Sequence, residues 1–197
     1  MKYILVFAVS YLLGSIPFGL LTTKLFAGVD VRKHGSGNIG MTNVLRTTGY
    51  FCALITLIGD MGKGIAAVLL GSYFLGDATL TLISGIMAVV GHNWSLFLRF
   101  KGGKGIATIG GVLLAYQPLA AAILAVIWVA VLIFSRYISL ASIVVAFCFP
   151  MILIILKTNA LEVVLAIIVA TFTIFKHRSN IERLRNGTEY RFGQKVN

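Results

Sequence analysis

The sequence predicts an all-α integral membrane protein with about seven transmembrane helices, from its hydropathy, its length and the spacing of its apolar runs. Of the 197 residues, 58% are hydrophobic and the mean hydropathy is +0.95, whereas ordinary soluble domains are roughly 45–50% apolar. Only short loops separate the apolar runs, which leaves no room for a separate soluble domain. We therefore expect a single membrane domain over residues 1–197.

The predicted spans follow from the requirement for about 20 apolar residues in each bilayer-crossing helix. They lie at residues 3–25, 50–74, 78–97, 104–117, 119–135, 137–157 and 160–176. The first is expected to be a retained helix, because its apolar run continues to Phe26 without a small-residue cleavage site. The fourth is the weakest, because it opens in a glycine-rich stretch and stops at Gln117-Pro118.

The charge pattern predicts the orientation of these spans. The chain carries 17 Lys and Arg against 6 Asp and Glu, and most of the cations fall in alternate loops or in the C-terminal tail. The positive-inside rule then places the N-terminus outside and the C-terminus in the cytoplasm, provided that the number of spans is odd. The net charge of +11 also suits anionic lipid headgroups, so we expect membrane lipids and not nucleic acid as partners.

Three glycine- and base-rich motifs interrupt the apolar runs. They are GSGNIGMTNVLR at residues 35–46 (the first motif), FKGGKGIAT at residues 100–108 (the second motif) and KHRSNIERLRNGTE at residues 176–189 (the third motif). The predicted topology places all three on the cytoplasmic side, where segments remote in sequence can converge on one site. Polar and cationic groups beside the bilayer are costly enough to indicate a function.

The first motif contains the pattern GxGxxG, but it follows a membrane helix and not a strand, so a dinucleotide-binding fold is disfavoured. Successive backbone N–H groups of a glycine-rich turn can instead form a nest for an anion, and the fork of Arg46 can hold two phosphate oxygens. We expect a phosphate site formed by Ser36, Gly37, Asn38, Thr42, Asn43 and Arg46. The alternative is a loop that only turns the chain.

The second motif resembles a Walker loop only superficially. Leu98 stands where the first glycine belongs, and Gly105 stands where Ser or Thr should follow the lysine, so a nucleotide-binding P-loop is disfavoured. Gly102, Gly103 and Lys104 nevertheless open a helix, and a helix N-terminus with an added cation favours an anion. The alternative is a basic loop anchored at lipid headgroups.

The third motif begins where the last predicted span ends, which holds His177 and Asn180 at the membrane surface. A His and an Asp separated by four residues form the catalytic dyad of a known acyltransferase signature, but Glu182 stands at that spacing after His177, so we reject that dyad. An interfacial histidine is also often a hydrogen-bonded structural residue. Glu189 is expected to cap a helix or to pair with a nearby arginine.

Two further pairs are predicted from their spacing. Asp60 and Lys63 lie three residues apart within a span, where an ion pair lowers the cost of burying either charge. A structural pair is the preferred interpretation, and a substrate-orienting role is second. Asn159 with Glu162 predicts an N-terminal cap for the last span.

Together with Gly14-Ser15-Ile16-Pro17-Phe18-Gly19, the three motifs resemble those of the bacterial acyl-phosphate:glycerol-3-phosphate acyltransferase family over nearly the whole chain. The likeness extends to GHNWSLFLRFKGGKGIAT from residue 91 and to RYISLAS from residue 136. Two departures are visible, because Met41 stands where the family usually has alanine and Ser95 where it usually has proline. Neither removes a charge or a hydrogen-bond donor.

The resemblance implies a seven-helix inner-membrane enzyme that acylates the 1-hydroxyl of glycerol 3-phosphate from acyl phosphate, which a phosphate acyltransferase would supply. The products would be lysophosphatidic acid and phosphate, with no acyl-CoA, metal or other cofactor. By position, the family-like phosphate-site residues are Ser36, Arg46, Lys104, Ser142 and Asn180. His177 would contact the glycerol or assist the reacting groups, and the second motif would hold glycerol 3-phosphate.

Two other classes of function remain open at this point. A transporter for an organic phosphate would also use basic half-helix ends, although the two halves of the sequence show no evident inverted repeat. A noncatalytic lipid-binding scaffold would explain the basic tail, but not the glycine-rich loops.

Overall fold

The computed structural model describes residues 1–194, which are helical with short connections and contain no strand. The helices are α1 (Lys2–Ser15), α2 (Phe18–Ala27), α3 (Met41–Thr48), α4 (Tyr50–Leu75), α5 (Ala78–Asn93), α6 (Ile106–Tyr116), α7 (Pro118–Ser135), α8 (Ile138–Ile155), α9 (Ala160–Lys176) and α10 (Arg178–Arg185). Two 3₁₀ turns lie at Val31–Lys33 and Leu96–Leu98. The all-α class is therefore confirmed.

Five segments of the described chain are long and apolar enough to cross a membrane. They are Lys2–Ala27, Tyr50–Leu75, Ala78–Leu98, Pro118–Ser135 and Ile138–Ile155. Helices α9 and α10, bent by 55° at their junction, give a sixth if they are counted as one span. Within residues 1–194 the structure thus supports five or six spans.

The predicted span at 104–117 is shorter in the structure, where α6 has 11 residues. At 1.5 Å per residue it is about 16 Å long, roughly half the thickness of the hydrocarbon core. The reason is local: the second motif stays non-helical up to Gly105, and Pro118 begins the next helix. The seven-span count and the orientation of the termini stay predictions.

The helices group into two compact units, Met1–Tyr116 and Gln117–Gln194. In the first unit, α1 packs on α4 and α5, and α4 packs on α5 and α6. The chain breaks between α1 and α2 at Ile16-Pro17, inside the predicted first span. Pro17 has no N–H to donate to the carbonyl four residues before it, so the helical ladder stops here. At the break, Ile16 O accepts the Phe18 N–H at 3.1 Å and not an N–H of a continuing helix.

Helices α1 and α5 approach each other closely because glycines lie at the contact. A Cβ at Gly14 would collide with the backbone of Ala88, and a Cβ at Gly91 would collide with the carbonyl of Tyr11. Small residues permit such backbone contact between membrane helices, where van der Waals packing takes the place of hydrophobic driving force.

In the second unit, α7 packs on α8 and α8 packs on α9, while α10 contacts α8 and α9. The predicted cap of the last span is confirmed. The Glu162 N–H donates to Asn159 Oδ1 at 2.9 Å, and Asn159 Nδ2 donates to Glu162 Oε1 at 2.6 Å.

The α1–α5 contact yields a stability prediction. We expect Gly14→Ala to lower the free energy of unfolding by about 1–3 kcal/mol, because its methyl group meets rigid backbone. Gly62→Ala is the matched control, since a Cβ there meets open space and alanine favours the helix. Thermal unfolding of both variants in the same detergent measures the difference; equal melting temperatures would contradict the close contact.

Candidate functional site

One apolar cluster in the first unit holds the first motif in place. Its buried members are Leu20, Val31, Ile39, Val44, Cys52, Ala53 and Leu98, with Met41 and Leu45 packed against them. Ile39, Val44, Met41 and Leu45 come from the first motif, whereas Leu98 lies two residues before the second. The cluster therefore packs the first motif together with the segment that leads into the second motif, whereas their convergence on one site stays a prediction.

Asn43 shapes the loop of the first motif. Its side chain is buried, and its Nδ2 lies 3.2 Å from Val31 O, 3.1 Å from His34 O and 2.9 Å from Asn38 O. Its Oδ1 accepts the Ser36 N–H at 2.9 Å. Both polar atoms of the amide are thus engaged by the loop, so we assign Asn43 to holding the loop and not to contacting a phosphate.

The nest expected in the first motif is not formed as predicted. The N–H of Ser36 donates to Asn43, that of Gly37 to His34 O, and that of Gly40 to Asn38 Oδ1. Positive φ angles at Gly35 (57°) and Gly37 (69°) turn the chain so that these internal acceptors are the nearest ones. The groups presented outward are the exposed Ser36 and Gly37 and the half-buried Asn38, Thr42 and Arg46.

The second motif lies against the last turn of α5. The Gly103 N–H donates to His92 O at 2.9 Å. A Cβ at Gly102 would collide with that same carbonyl oxygen, and a Cβ at Gly103 would collide with the His92 ring. Only glycine allows this backbone-to-backbone approach. The half-buried Lys104 follows, two residues before α6 begins at Ile106.

The loop leading into the second motif is fixed to the α1–α2 break. Ser95 Oγ donates to Ser15 O at 2.5 Å, and the Leu96 N–H lies 3.4 Å from Ser15 Oγ. Tyr11 also donates its hydroxyl to Trp94 O at 2.8 Å. The position where Ser95 departs from the family's usual proline is therefore used for a hydrogen bond.

A cluster of buried charges lies in the first unit. Lys63 Nζ is 2.8 Å from Asp60 Oδ1, and each side chain is 2% exposed. The predicted ion pair is confirmed. Sequence reasoning missed its third member, because His92 lies on another helix: its Nδ1 is 2.8 Å from Lys63 Nζ and 3.4 Å from Asp60 Oδ1.

Of the cations near the first motif, Arg32 is already paired. It contacts Asp30 through Nε at 2.8 Å and Nη2 at 2.6 Å. This hydrogen bonding from Arg32 holds the pKa of the Asp30 carboxyl well below its usual range. The pairing with Asp30 makes Arg32 a poor candidate for holding a phosphate in this motif.

In the second unit, the third motif places His177 at the junction of α9 and α10. The side chain is buried, and its Nδ1 lies 2.8 Å from Thr173 O. A carbonyl can only accept, so Nδ1 carries the proton and Nε2 is the basic nitrogen.

Asn180 is held by an acid in the same unit. Its Nδ2 donates to Glu189 Oε1 at 2.9 Å, and Arg183 Nε contacts Glu189 Oε2 at 2.7 Å. The predicted pairing of Glu189 with an arginine is confirmed. The glutamate thus fixes the orientation of the Asn180 amide.

Ser142 lies on α8, where it is 4% exposed. Its Oγ donates to Ile138 O at 2.8 Å and lies 3.3 Å from Trp128 Nε1 of α7. Indole N–H is a donor only, so Trp128 donates to Ser142. The sequence offered no signal for this contact, since a tryptophan in an apolar run also fits simple packing.

These features define a class of protein: a polytopic helical membrane protein whose basic, glycine-rich loops suit a phosphorylated ligand. Within residues 1–194, no three His, Cys, Asp or Glu side chains cluster closely enough to hold a metal ion.

The family model described as Glycerol-3-phosphate acyltransferase matches residues 4–187, and the chain belongs to this family. It is 48% identical over 189 residues to the glycerol-3-phosphate acyltransferase of Desulforudis audaxviator, covering 96% of this chain and 95% of that one. It is 43% identical over 194 residues to that of Carboxydothermus hydrogenoformans, covering 98% of each.

Solved structures of an integral membrane glycerol 3-phosphate acyltransferase, PlsY, have the same fold. The glycerol 3-phosphate form superposes with a TM-score of 0.93 at 36% identity, covering 98% of this chain and 96% of that one. The lysophosphatidic acid form gives a TM-score of 0.90 at the same identity and coverage.

The role assigned to Asn43 can be tested by Asn43→Asp. The change keeps the acceptor for the Ser36 N–H. It also replaces the amide Nδ2 by a carboxylate oxygen that faces the carbonyls of Val31, His34 and Asn38. We therefore expect the free energy of unfolding to fall by about 1–3 kcal/mol or more. Asn38→Asp is the control for stability, because its Oδ1 still accepts from Gly40. Melting temperatures that fall equally in both variants would refute the role.

Proposed function

We propose that the protein transfers a fatty acyl group from acyl phosphate to the 1-hydroxyl of glycerol 3-phosphate at the cytoplasmic face of a bacterial inner membrane. The products are 1-acyl-glycerol 3-phosphate and phosphate, so the protein catalyses the first step of phospholipid synthesis. Family membership and the substrate and product named for the PlsY structures support this activity. The donor is inferred from the motifs and from the chemistry below.

The observation that carries the proposal is that the first motif and Leu98, which precedes the second motif, pack in one apolar cluster. This arrangement puts two half-buried cations at the same end of the first unit, Arg46 in the last turn of α3 and Lys104 in the loop before α6. The reaction requires two phosphate groups to be held near one another despite their repulsion, and two cations from separate motifs suit that task. We assign glycerol 3-phosphate to the second motif and Lys104.

The chemistry needs no acyl-enzyme. The 1-hydroxyl oxygen attacks the acyl carbonyl carbon and forms the ester bond, while the bond from that carbon to the phosphate oxygen breaks. Phosphate leaves with the electron pair, and the hydroxyl proton passes to a phosphate oxygen. Acyl phosphate is already an activated anhydride, so an intermediate on the protein has little to offer.

The serine hydrogen bonds fit this direct route. Ser142 Oγ donates its proton to a backbone carbonyl and not to a histidine, so it is not arranged as an activated nucleophile. Ser142 and Asn180 are assigned to orienting substrate, together with Ser36, Gly37, Asn38 and Thr42 of the first motif and Gly102 and Gly103 of the second. His177, whose Nε2 is basic, is the secondary candidate for accepting the proton.

The direct test is acylation of glycerol 3-phosphate by purified protein in lipid, with acyl phosphate and acyl-CoA compared side by side. We expect lysophosphatidic acid and free phosphate from acyl phosphate only. Arg46→Ala and Lys104→Ala should each lower kcat/KM by about 100-fold or more, because each removes a charge from a phosphate. Product formed from acyl-CoA alone would refute the assignment of acyl phosphate as donor. Labelled glycerol 3-phosphate that accumulates in proteoliposomes without lysolipid would indicate transport.

The role of His177 can be separated from binding by His177→Ala in single-turnover experiments. Because we assign the proton to a phosphate oxygen, the variant should retain a measurable chemical step, slowed by less than the roughly 100-fold or more typical of losing a general base. If acyl transfer stops while glycerol 3-phosphate still binds with normal affinity, His177 is the base and the direct proton transfer is wrong.

A further inference from the structure

We propose that Asp60, Lys63 and His92 form a buried positioning triad that holds the second motif in the shape that binds glycerol 3-phosphate. The inference rests on the proposed function, in which the second motif receives that substrate. It gives a role to three charged or titratable side chains that the proposed chemistry does not use.

The triad is assembled from two helices and contacts a third part of the chain. Asp60 and Lys63 lie on α4, and His92 lies in the last turn of α5. Lys63 Nζ also donates to Ile16 O at 3.0 Å, where Pro17 interrupts the first span. One ammonium group therefore joins the α1–α2 break, α4 and the end of α5.

The contacts fix the proton positions on His92. Lys63, with Asp60 as its counterion 2.8 Å away, is an ammonium that can only donate. Its hydrogen bond of 2.8 Å to His92 Nδ1 makes that nitrogen the acceptor, so the ring proton lies on Nε2. The triad thus sets both the orientation and the tautomer of the imidazole.

The oriented ring is the surface on which the second motif lies. His92 O accepts the Gly103 N–H at 2.9 Å, and a Cβ at Gly103 would collide with His92 Nε2. Lys104 is the next residue. A rotation of the imidazole would therefore displace the backbone immediately before the cation that is assigned to the substrate phosphate.

Stability alone is a weak explanation for such a cluster. Placing an ammonium and a carboxylate inside a membrane protein is costly, and well-packed apolar side chains often give equal or better stability than a buried ion pair. Apolar packing is less able to hold a ring in a single orientation and tautomer. A phosphate-binding loop needs a support that is fixed in this way.

The test is steady-state kinetics of Asp60→Asn/Lys63→Met, a double variant that removes both charges together and so leaves neither one buried alone. We expect KM for glycerol 3-phosphate to rise by about tenfold to a hundredfold, as for a binding group displaced by about 1 Å. KM for acyl phosphate and kcat should be unchanged. Lys63→Arg, which keeps a cation beside Asp60, should recover part of the affinity.

Two matched controls change buried hydroxyls that do not touch the triad. Thr56→Val on α4 and Ser84→Ala on α5 each remove a hydrogen bond from the side chain to a backbone carbonyl of the same helix. Neither change should alter KM for glycerol 3-phosphate. Melting temperatures of all variants are measured in the same detergent.

The inference is overturned if the folded double variant keeps the wild-type KM for glycerol 3-phosphate. It is also overturned if both KM values and kcat change together as the melting temperature falls, which is the result of a purely structural role. Absence of lysolipid from the wild-type protein with either donor would instead refute the proposed function.

Discussion

The first unit depends on the burial of one charge, the ammonium of Lys63. Its neighbours come from segments that are far apart in sequence: the carboxylate of Asp60, the carbonyl of Ile16 and the ring nitrogen of His92. Inside a low-dielectric interior an uncompensated ammonium is strongly destabilising, so these partners must remain in place together. The break at Ile16-Pro17 belongs to this arrangement, because Ile16 O accepts from Lys63 Nζ there in addition to the Phe18 N–H.

A second principle recurs in the two loops of the first unit. In each loop, contacts with a buried residue of an adjacent helix set the backbone conformation. Asn43 engages three carbonyls and one N–H of the first motif, while the main chain and ring of His92 support the second. A loop whose backbone groups are satisfied in this way is organised before substrate arrives. Less binding energy is then lost to ordering the loop.

The same logic applies to the side chains of the second unit. Glu189 holds the Asn180 amide, Trp128 donates to Ser142, and the carbonyl of Thr173 fixes the tautomer of His177. In each case a group suited to touching substrate is oriented by a partner that has no obvious reactive role. Such supporting contacts are characteristic of sites that require precise geometry.

Much of this protein was determined by the sequence alone. Hydropathy predicted the all-α membrane class, residue spacing predicted the Asp60–Lys63 pair and the Asn159 cap, and the motifs indicated the family. These features depend on local composition or on neighbours within one helix turn. Tertiary structure decided the rest: the internal use of the N–H groups of the first motif and the contacts of His92 and Trp128. Those outcomes depend on which backbone and side-chain groups come within contact distance of one another in the folded chain. Spacing along the chain does not determine these distances.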